Sequence, residues 1–160
     1  MFVPINLING GIVPSTNGAN LKFNTNAGYI YGLGINFTND TLQPNALYVP
    51  GTNPCTFQYR TQTGTQSGFT NRTTIDPNNY DVNGVVTSVP GSGNYTTQRI
   101  YLFPTGLVRI QYGQEYYPTL AKAVAAIPSE VFVVYPNNYT NGILTFDKVY
   151  SSKSNIIKYN

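Results

Sequence analysis

The chain has 160 residues, a length that suits one folded domain with a sizeable core. It contains no His, one Cys and no Trp, and only 9% of its residues are charged, six of them acidic. Because proton transfer and metal binding usually draw on His, Cys or clustered acids, this composition argues against most hydrolase and metalloenzyme classes.

The formal net charge is +3, and the nine basic residues are scattered along the chain. A nucleic-acid surface needs clustered Lys and Arg to neutralise phosphates, so we predict no nucleic-acid partner. Residues 1–11 contain neither the basic region nor the apolar stretch of a signal peptide, and no segment has the length of a membrane span. We therefore predict no signal peptide and no membrane insertion.

Charged residues are few, and Asn, Thr, Gly and Tyr are abundant. Hydrophobic residues make up 41% of the chain, and aromatic residues make up 14%. This composition is typical of strands joined by many turns. Short apolar runs in the first part of the chain predict strands at 2–7, 11–13, 20–24 and 29–37. Four Asn-Gly pairs supply the positive φ angles that tight hairpins require: Asn9-Gly10, Asn17-Gly18, Asn83-Gly84 and Asn141-Gly142.

The middle of the chain, residues 38–98, is polar and rich in Pro, Gly, Thr and Asn. We predict strands there at 46–49, 54–60 and 82–89, and we expect the rest to hold further short strands and exposed loops that carry function. Cys55 alternates with Phe57 and Tyr59, which places the three side chains on one strand face. With no His to serve as a base, Cys55 is interpreted as a buried apolar residue.

The last part of the chain predicts a hairpin, a helix and further strands. The hairpin joins 99–103 to 107–112 through Pro104-Thr105-Gly106. A helix opens at Pro118-Thr119 and ends at Pro128, with its apolar residues at helical spacing: Leu120, Ala123, Val124 and Ile127. Strands are expected at 131–135, 143–150 and 155–159.

Together these elements predict a mainly β fold, an antiparallel β-sandwich of jelly-roll-like type with one short α-helix near residues 118–127. No repeat of fixed period is visible and no linker divides the chain. We therefore expect a single β-rich domain over residues 1–160, either a complete protein or a part of a longer fibre assembly.

The acidic residues do not form a recognisable metal or catalytic pattern. Segment 76–84 holds Asp76, Asp81 and several amides, but its register departs from a calcium loop and the bidentate Glu is missing. Glu115 and Glu130 bracket the helix, and capping or solvation accounts for each of them. We predict no catalytic residue, no metal and no cofactor, and hence a protein that is not an enzyme.

Tyrosines that lie beside amide and hydroxyl residues suit the binding of sugars, because the ring can stack on a sugar while amides bond its hydroxyls. The alternative is that these tyrosines fill half-buried strand positions. The predicted receptor or glycan-binding residues lie in two turns: Asn94, Tyr95, Asn138 and Tyr139.

One pattern in the last third goes beyond composition. The hairpin run 99–106 leads to the segment Gln111-Tyr112-Gly113-Gln114-Glu115-Tyr116-Tyr117 and then to Leu120-Ala121-Lys122-Ala123. This pattern resembles one in virion fibre and appendage proteins of tailed bacteriophages, and the earlier segment 27–37 is similar to one that precedes it there. The motif residues that carry the resemblance are Arg99, Tyr101, Tyr112, Gly113, Gln114 and Tyr117.

The resemblance implies a homotrimeric β-structured domain of the virion, assembled in the host cytoplasm. Its expected partners are other virion proteins and a host-surface glycan or protein, to which a tail or head fibre would attach. Two alternatives stay open: a passive head decoration or fibre-attachment protein, and a carbohydrate-active enzyme of the tailspike type.

Overall fold

The computed structural model describes residues 6–9, 14–63, 70–103, 105–133 and 143–151. The strands in these ranges are β1 (Asn6–Asn9), β2 (Pro14–Thr16), β3 (Phe23–Thr25), β4 (Gly28–Tyr31), β5 (Ala46–Val49), β6 (Phe57–Arg60), β7 (Asn79–Val82), β8 (Val85–Ser88), β9 (Tyr95–Leu102), β10 (Val108–Gln111) and β11 (Ile143–Ser151). One helix, α1 (Leu120–Ala126), lies between β10 and β11. The predicted mainly β fold with a short helix is confirmed. No helix in the described ranges is long and apolar enough to cross a membrane.

The described strands form four sheets. One is three-stranded in the order β1-β4-β5, one is four-stranded in the order β11-β9-β10-β6, and the pairs β2-β3 and β7-β8 are separate hairpins. All pairs are antiparallel except β6 with β10, where Phe57 lies opposite Val108 in a parallel register. That pair departs from the purely antiparallel prediction, and the sandwich or jelly-roll arrangement of the sheets stays a prediction.

The hairpin, the helix and the strand at 143–150 predicted in the last third are confirmed. Strands β9 and β10 form the antiparallel hairpin, with Arg109 opposite Tyr101. The helix begins after Thr119, whose hydroxyl accepts a hydrogen bond from the backbone N–H of Lys122, as an N-cap should. The final strand of the described chain, β11, pairs with β9 along its length.

The Asn83-Gly84 pair forms the predicted hairpin turn. Both residues have positive φ, 51° at Asn83 and 91° at Gly84, and they join β7 to β8. The prediction of one continuous strand over 82–89 is wrong, because this turn reverses the chain within it. Gly18 also has positive φ, at 67°, but within a longer loop. The pairs at Asn9-Gly10 and Asn141-Gly142 include residues outside the described ranges.

Other strand predictions are wrong at their ends. The strand predicted over 29–37 stops at Tyr31, because Gly34 adopts a φ of 70° and its N–H donates to Oδ1 of Asn45 at 2.9 Å. The strand predicted over 131–135 is absent from its described part, residues 131–133. The strands predicted at 11–13 and 155–159 lie outside the described residues.

The apolar core lies between the strands. Phe23 and Phe57 are fully buried and stack with their ring centroids 5.3 Å apart. Phe57 and Tyr59 are buried on one face of β6, as predicted, whereas Cys55 is buried in the same cluster but precedes the strand, which begins at Phe57 and not at residue 54. Burial raises the pKa of the Cys55 thiol above its ordinary value, consistent with a packed and unreactive side chain.

Candidate functional site

The motif residue Tyr112 lies in a buried polar network. Its ring stacks on that of Tyr59, with centroids 4.2 Å apart, and its hydroxyl donates to Oδ2 of Asp76 at 3.0 Å. The Tyr59 hydroxyl donates to Oε1 of Gln98 at 2.9 Å, and Nε2 of Gln98 donates to the Asp76 carbonyl at 2.8 Å. Burial, together with the nearby Asp76 carboxylate, raises the pKa of Tyr112 well above its usual range, so its hydroxyl remains a donor.

The acidic segment 76–84 folds as hydrogen-bonded turns. The Asp76 carboxylate accepts from the backbone N–H of Asn78 at 3.0 Å and from Nδ2 of Asn79 at 2.8 Å. Asp81 is buried, and its carboxylate accepts from the backbone N–H groups of Gln62 and Gly84. Among the described residues, no group of three or more Asp, Glu, Cys or His side chains is placed to hold a metal ion.

Gly113 permits a close approach between two backbones. A Cβ at this position would lie 2.6 Å from the Thr97 carbonyl oxygen and 3.1 Å from Cβ of Thr96. The Gly113 carbonyl accepts a hydrogen bond from the Asp81 N–H at 2.7 Å. The motif glycine therefore allows the chain after β10 to lie directly against β9.

Gln114 and Arg99 hold the segment that follows the helix. Nε2 of Gln114 donates to the Val133 carbonyl at 2.6 Å, and its Oε1 accepts from the Val133 N–H at 2.7 Å. The guanidinium carbon of Arg99 lies 4.0 Å from the ring centroid of Phe132, and Nη2 donates to the Glu130 carbonyl at 3.3 Å. These contacts fix residues 130–133 against β9.

The Glu130 carboxyl belongs to the same cluster, and both of its oxygens are shielded from solvent. Burial raises its pKa to about 7, while Tyr117, Thr97 and Arg99 act in the opposite direction. Burial and the nearby Glu130 raise the pKa of Tyr117 to about 12. The interpretation of Glu130 as a capping or solvated residue is wrong, because the packing of residues 130–133 onto β9 encloses it. Glu115 remains exposed.

The last motif residue, Tyr101, is half-buried on β9, and its hydroxyl donates to Oε1 of Gln111 at 3.4 Å. The six motif residues therefore have a shared structural role. They hold together β9, β10 and the segment after the helix, and we call this cluster the brace: Arg99, Tyr101, Tyr112, Gly113, Gln114 and Tyr117.

One of the predicted binding residues, Tyr95, contacts the brace through the backbone of Tyr117. Asn94 donates from its amide to the Pro90 carbonyl and so closes a turn. Tyr95 is half-buried, and its backbone exchanges two hydrogen bonds of 2.8 Å with that of Tyr117. Asn138 and Tyr139 lie outside the described residues. Ligand binding at these four positions stays a prediction.

A group of exposed aromatic side chains lies elsewhere, on β4 and β5. Tyr29, Tyr31 and Tyr48 are 42%, 38% and 53% exposed, and the Tyr29 and Tyr48 rings meet edge to face with centroids 5.4 Å apart. Gly28 and Ile30 alternate with the first two and are buried. We call these three tyrosines the Tyr face. It was not predicted from the sequence, although the alternation over residues 28–31 was its signal.

The loop between β4 and β5 is also unusually apolar at its surface. Leu33, Phe37 and Leu42 are 68%, 60% and 92% exposed. Asp40 is the one charged residue in segment 28–49, and its carboxylate accepts from the backbone N–H groups of Leu42 and Gln43. We call segment 28–49 the β4–β5 unit. Its exposed apolar surface is characteristic of a region that contacts a partner.

A shallow open depression of about 580 Å³ lies along segment 71–78. Arg72, Asp76 and Asn78 contribute to its lining, together with Leu21 and Ile75. The Asp76 carboxylate is already hydrogen-bonded within its own turn, so the polar lining of the depression largely serves the fold.

Comparison of the chain with protein-family models, with curated proteins and with solved structures gives no match. We therefore infer the function from the chemistry of the exposed surfaces and of the brace.

Proposed function

We propose that this chain is a structural and adhesive component of a tailed-phage virion, a fibre or appendage domain that forms a homotrimer and attaches to the host surface. The observation that carries the proposal is the β4–β5 unit, which exposes six large apolar or aromatic side chains and contains a single charged residue. Exposed apolar surface of this kind favours association, because contact with a partner removes it from water.

The size of this surface supports a specific contact. The trimer contact is expected at the loop, where Leu33, Phe37 and Leu42 contribute on the order of 400 Å², with about 200 Å² for each fully exposed large side chain. A standard interface buries about 800 Å² on each partner. Strand β5 adds to it, since it lies at the edge of its described sheet and has no charged residue or Pro to discourage pairing. A homotrimer would cover both the loop and the strand edge.

The brace supports the adhesive part of the proposal. Binding surfaces work best on rigid scaffolds, and here the polar network around the brace residue Tyr112 joins Tyr59 on β6 to Gln98 on β9. Such a scaffold needs no cofactor to remain folded outside a cell.

Binding to bacterial cells tests the attachment role. The fluorescently labelled chain is expected to bind susceptible cells and not resistant mutants that lack the receptor. Antibody labelling of phage particles, viewed by electron microscopy, should place the chain on a fibre or appendage. Label confined to the capsid surface, together with no cell binding, would contradict attachment and favour a passive head decoration.

One observation bears on a tailspike-type enzyme. Burial raises the pKa of Glu130 to about 7, and the charge of Glu115 adds a smaller contribution; a raised carboxyl pKa is a property of the general acid in enzymes that cleave glycosidic bonds. A general acid must touch its substrate, whereas both Glu130 oxygens are shielded from solvent. Incubation of the chain with host polysaccharide is therefore expected to leave the polymer size unchanged, and shortened chains would favour the enzyme.

A further inference from the structure

We propose that the Tyr face binds a neutral saccharide. This inference rests on the proposed attachment function, and it names the ligand class and the residues of the contact: Tyr29, Tyr31 and Tyr48. It also moves the expected contact away from the turns at Asn94 and Tyr95 to a sheet surface.

The geometry of β4 and β5 creates a stepped aromatic surface. Tyr29 lies directly opposite Tyr48 in the antiparallel register, whereas Tyr31 lies opposite Ala46. Opposed residues in such a pair share one face of the sheet. Because the Ala46 side chain is small, the surface is lower at Ala46 than at the neighbouring rings of Tyr31 and Tyr48, and we call this difference in height the step. Pyranose rings present flat C–H surfaces, and a step bordered by aromatic rings suits one sugar unit.

Strand β4 is the central strand of its described sheet, with β1 on one side and β5 on the other. In the pairing of β1 with β4, the backbone of Asn9 lies at the register position of Tyr29 and that of Asn6 at the position of Tyr31. Tyr29 and Tyr31 therefore lie in the interior of the sheet, on a strand that is paired at both edges.

The charge of the region selects a neutral ligand. None of the residues in β1, β4 and β5 is charged. An acidic saccharide would give up its hydration without gaining an ion pair, whereas a neutral sugar loses less. A second copy of the chain is the competing occupant. The Tyr face suits it less than the aliphatic loop does, because every ring here carries a hydroxyl that must keep a polar partner.

Tyrosine-selective NMR tests the proposal on the intact chain. With ring-¹³C tyrosine, the probes are neutral hexasaccharides of glucose, galactose and N-acetylglucosamine, with hexagalacturonate as the acidic comparison, each at up to about 10 mM. At least one neutral probe is expected to shift the Tyr29, Tyr31 and Tyr48 signals at lower concentration than hexagalacturonate. Tyr48→Ala should weaken that binding about tenfold or more.

Tyr116 provides a matched control. It is 42% exposed and meets Tyr80 edge to face with centroids 5.6 Å apart, so it resembles the Tyr29–Tyr48 pair but lies outside the β4–β5 unit. Tyr116→Ala is expected to leave saccharide binding unchanged. Equal losses in Tyr116→Ala and Tyr48→Ala, or no shift at the Tyr face with any neutral probe, would overturn the inference.

Two further outcomes separate this inference from the function on which it rests. If the chain binds susceptible cells and Tyr48→Ala binds them equally well, the Tyr face is not the contact, although attachment stands. If Tyr48→Ala instead lowers the solution mass of the chain, the face is covered by a second copy, and the saccharide proposal is wrong.

Discussion

Gln114 and Val133 exchange two hydrogen bonds in opposite directions, one from the side-chain amide to the backbone carbonyl and one from the backbone N–H to the side-chain oxygen. The amide thereby imitates the rung of an antiparallel ladder. Nε2 of Gln111 donates to the same carbonyl at 3.3 Å. Two glutamine side chains therefore satisfy the backbone of residue 133, which explains how segment 131–133 is held without forming a strand.

Replacement of Gln114 tests this relationship. Gln114→Glu keeps an acceptor for the Val133 N–H but places an oxygen against the Val133 carbonyl, so the free energy of unfolding should fall by about 0.5–1.5 kcal/mol. Urea denaturation measures the loss, and faster amide exchange at Val133 would localise it. Gln43→Glu, at an exposed loop position, should change stability little. Equal losses in both variants would contradict the assigned role.

A methyl group at Gly113 should separate β9 from the chain after β10. Because the new Cβ would lie 2.6 Å from the Thr97 carbonyl oxygen, Gly113→Ala is expected to cost about 2–4 kcal/mol in thermal or urea unfolding. Gly93→Ala is the matched control, since no atom lies within 4 Å of the position that its methyl group would take. A Gly113→Ala variant as stable as Gly93→Ala would show that the two backbones do not meet closely.

Glu130 should give the protein a characteristic pH dependence. An unfolded glutamate titrates near about 4.3, whereas the folded pKa is about 7. Between these values the folded state retains a proton that the unfolded chain releases, so this residue makes stability fall as the pH rises from about 4.5 to about 7. Glu130→Gln, which cannot ionise, should exceed the wild type at pH 8 by about 1–2 kcal/mol after solvent screening.

Urea denaturation from pH 4 to pH 8 measures this difference. The two proteins should be similar in stability near pH 4, where the carboxyl is protonated in both states. Glu115→Gln is the control, because the Glu115 carboxyl is exposed. Its charge raises the Glu130 pKa, so this variant should lose stability with rising pH as the wild type does, but at slightly lower pH. A Glu130→Gln variant less stable than the wild type at pH 8 would mean that the carboxylate is well paired in the folded chain.

The exposed loop of the β4–β5 unit should control self-association. Leu42 is 92% exposed, so Leu42→Asp leaves the fold of each chain intact while placing a charge in the proposed interface. Light scattering is expected to record a shift from trimer towards single chains. Val85→Asp, at a 62% exposed position on β8, should leave the mass unchanged. Dissociation by Val85→Asp alone would move the interface to the β7–β8 hairpin.

Local signals in the sequence predict several of these features correctly. Strand 46–49, the hairpin around residues 104–106, the helix after Thr119 and the turn at Asn83 each follow from propensity, capping or positive φ within a few residues. Such elements are determined by neighbouring residues, so one sequence is enough to locate them.

Tertiary contacts decide the features that could not be predicted from the sequence. The strand predicted over 29–37 ends early because Asn45, distant in sequence, binds the Gly34 N–H. The raised pKa of Glu130 requires burial by β9, and the parallel pairing of β6 with β10 joins strands nearly fifty residues apart. The Tyr face was missed for a similar reason: alternation shows that Tyr29 and Tyr31 share a face, but only the register adds Tyr48.

The molar mass of the purified chain in solution tests most directly the claim that this protein works through association. Light scattering coupled to size-exclusion chromatography should give about three times the 17.6 kDa chain mass, stable on dilution, because a trimer would cover the exposed apolar side chains of the loop in the β4–β5 unit. A monodisperse species of 17.6 kDa at every concentration would contradict the account.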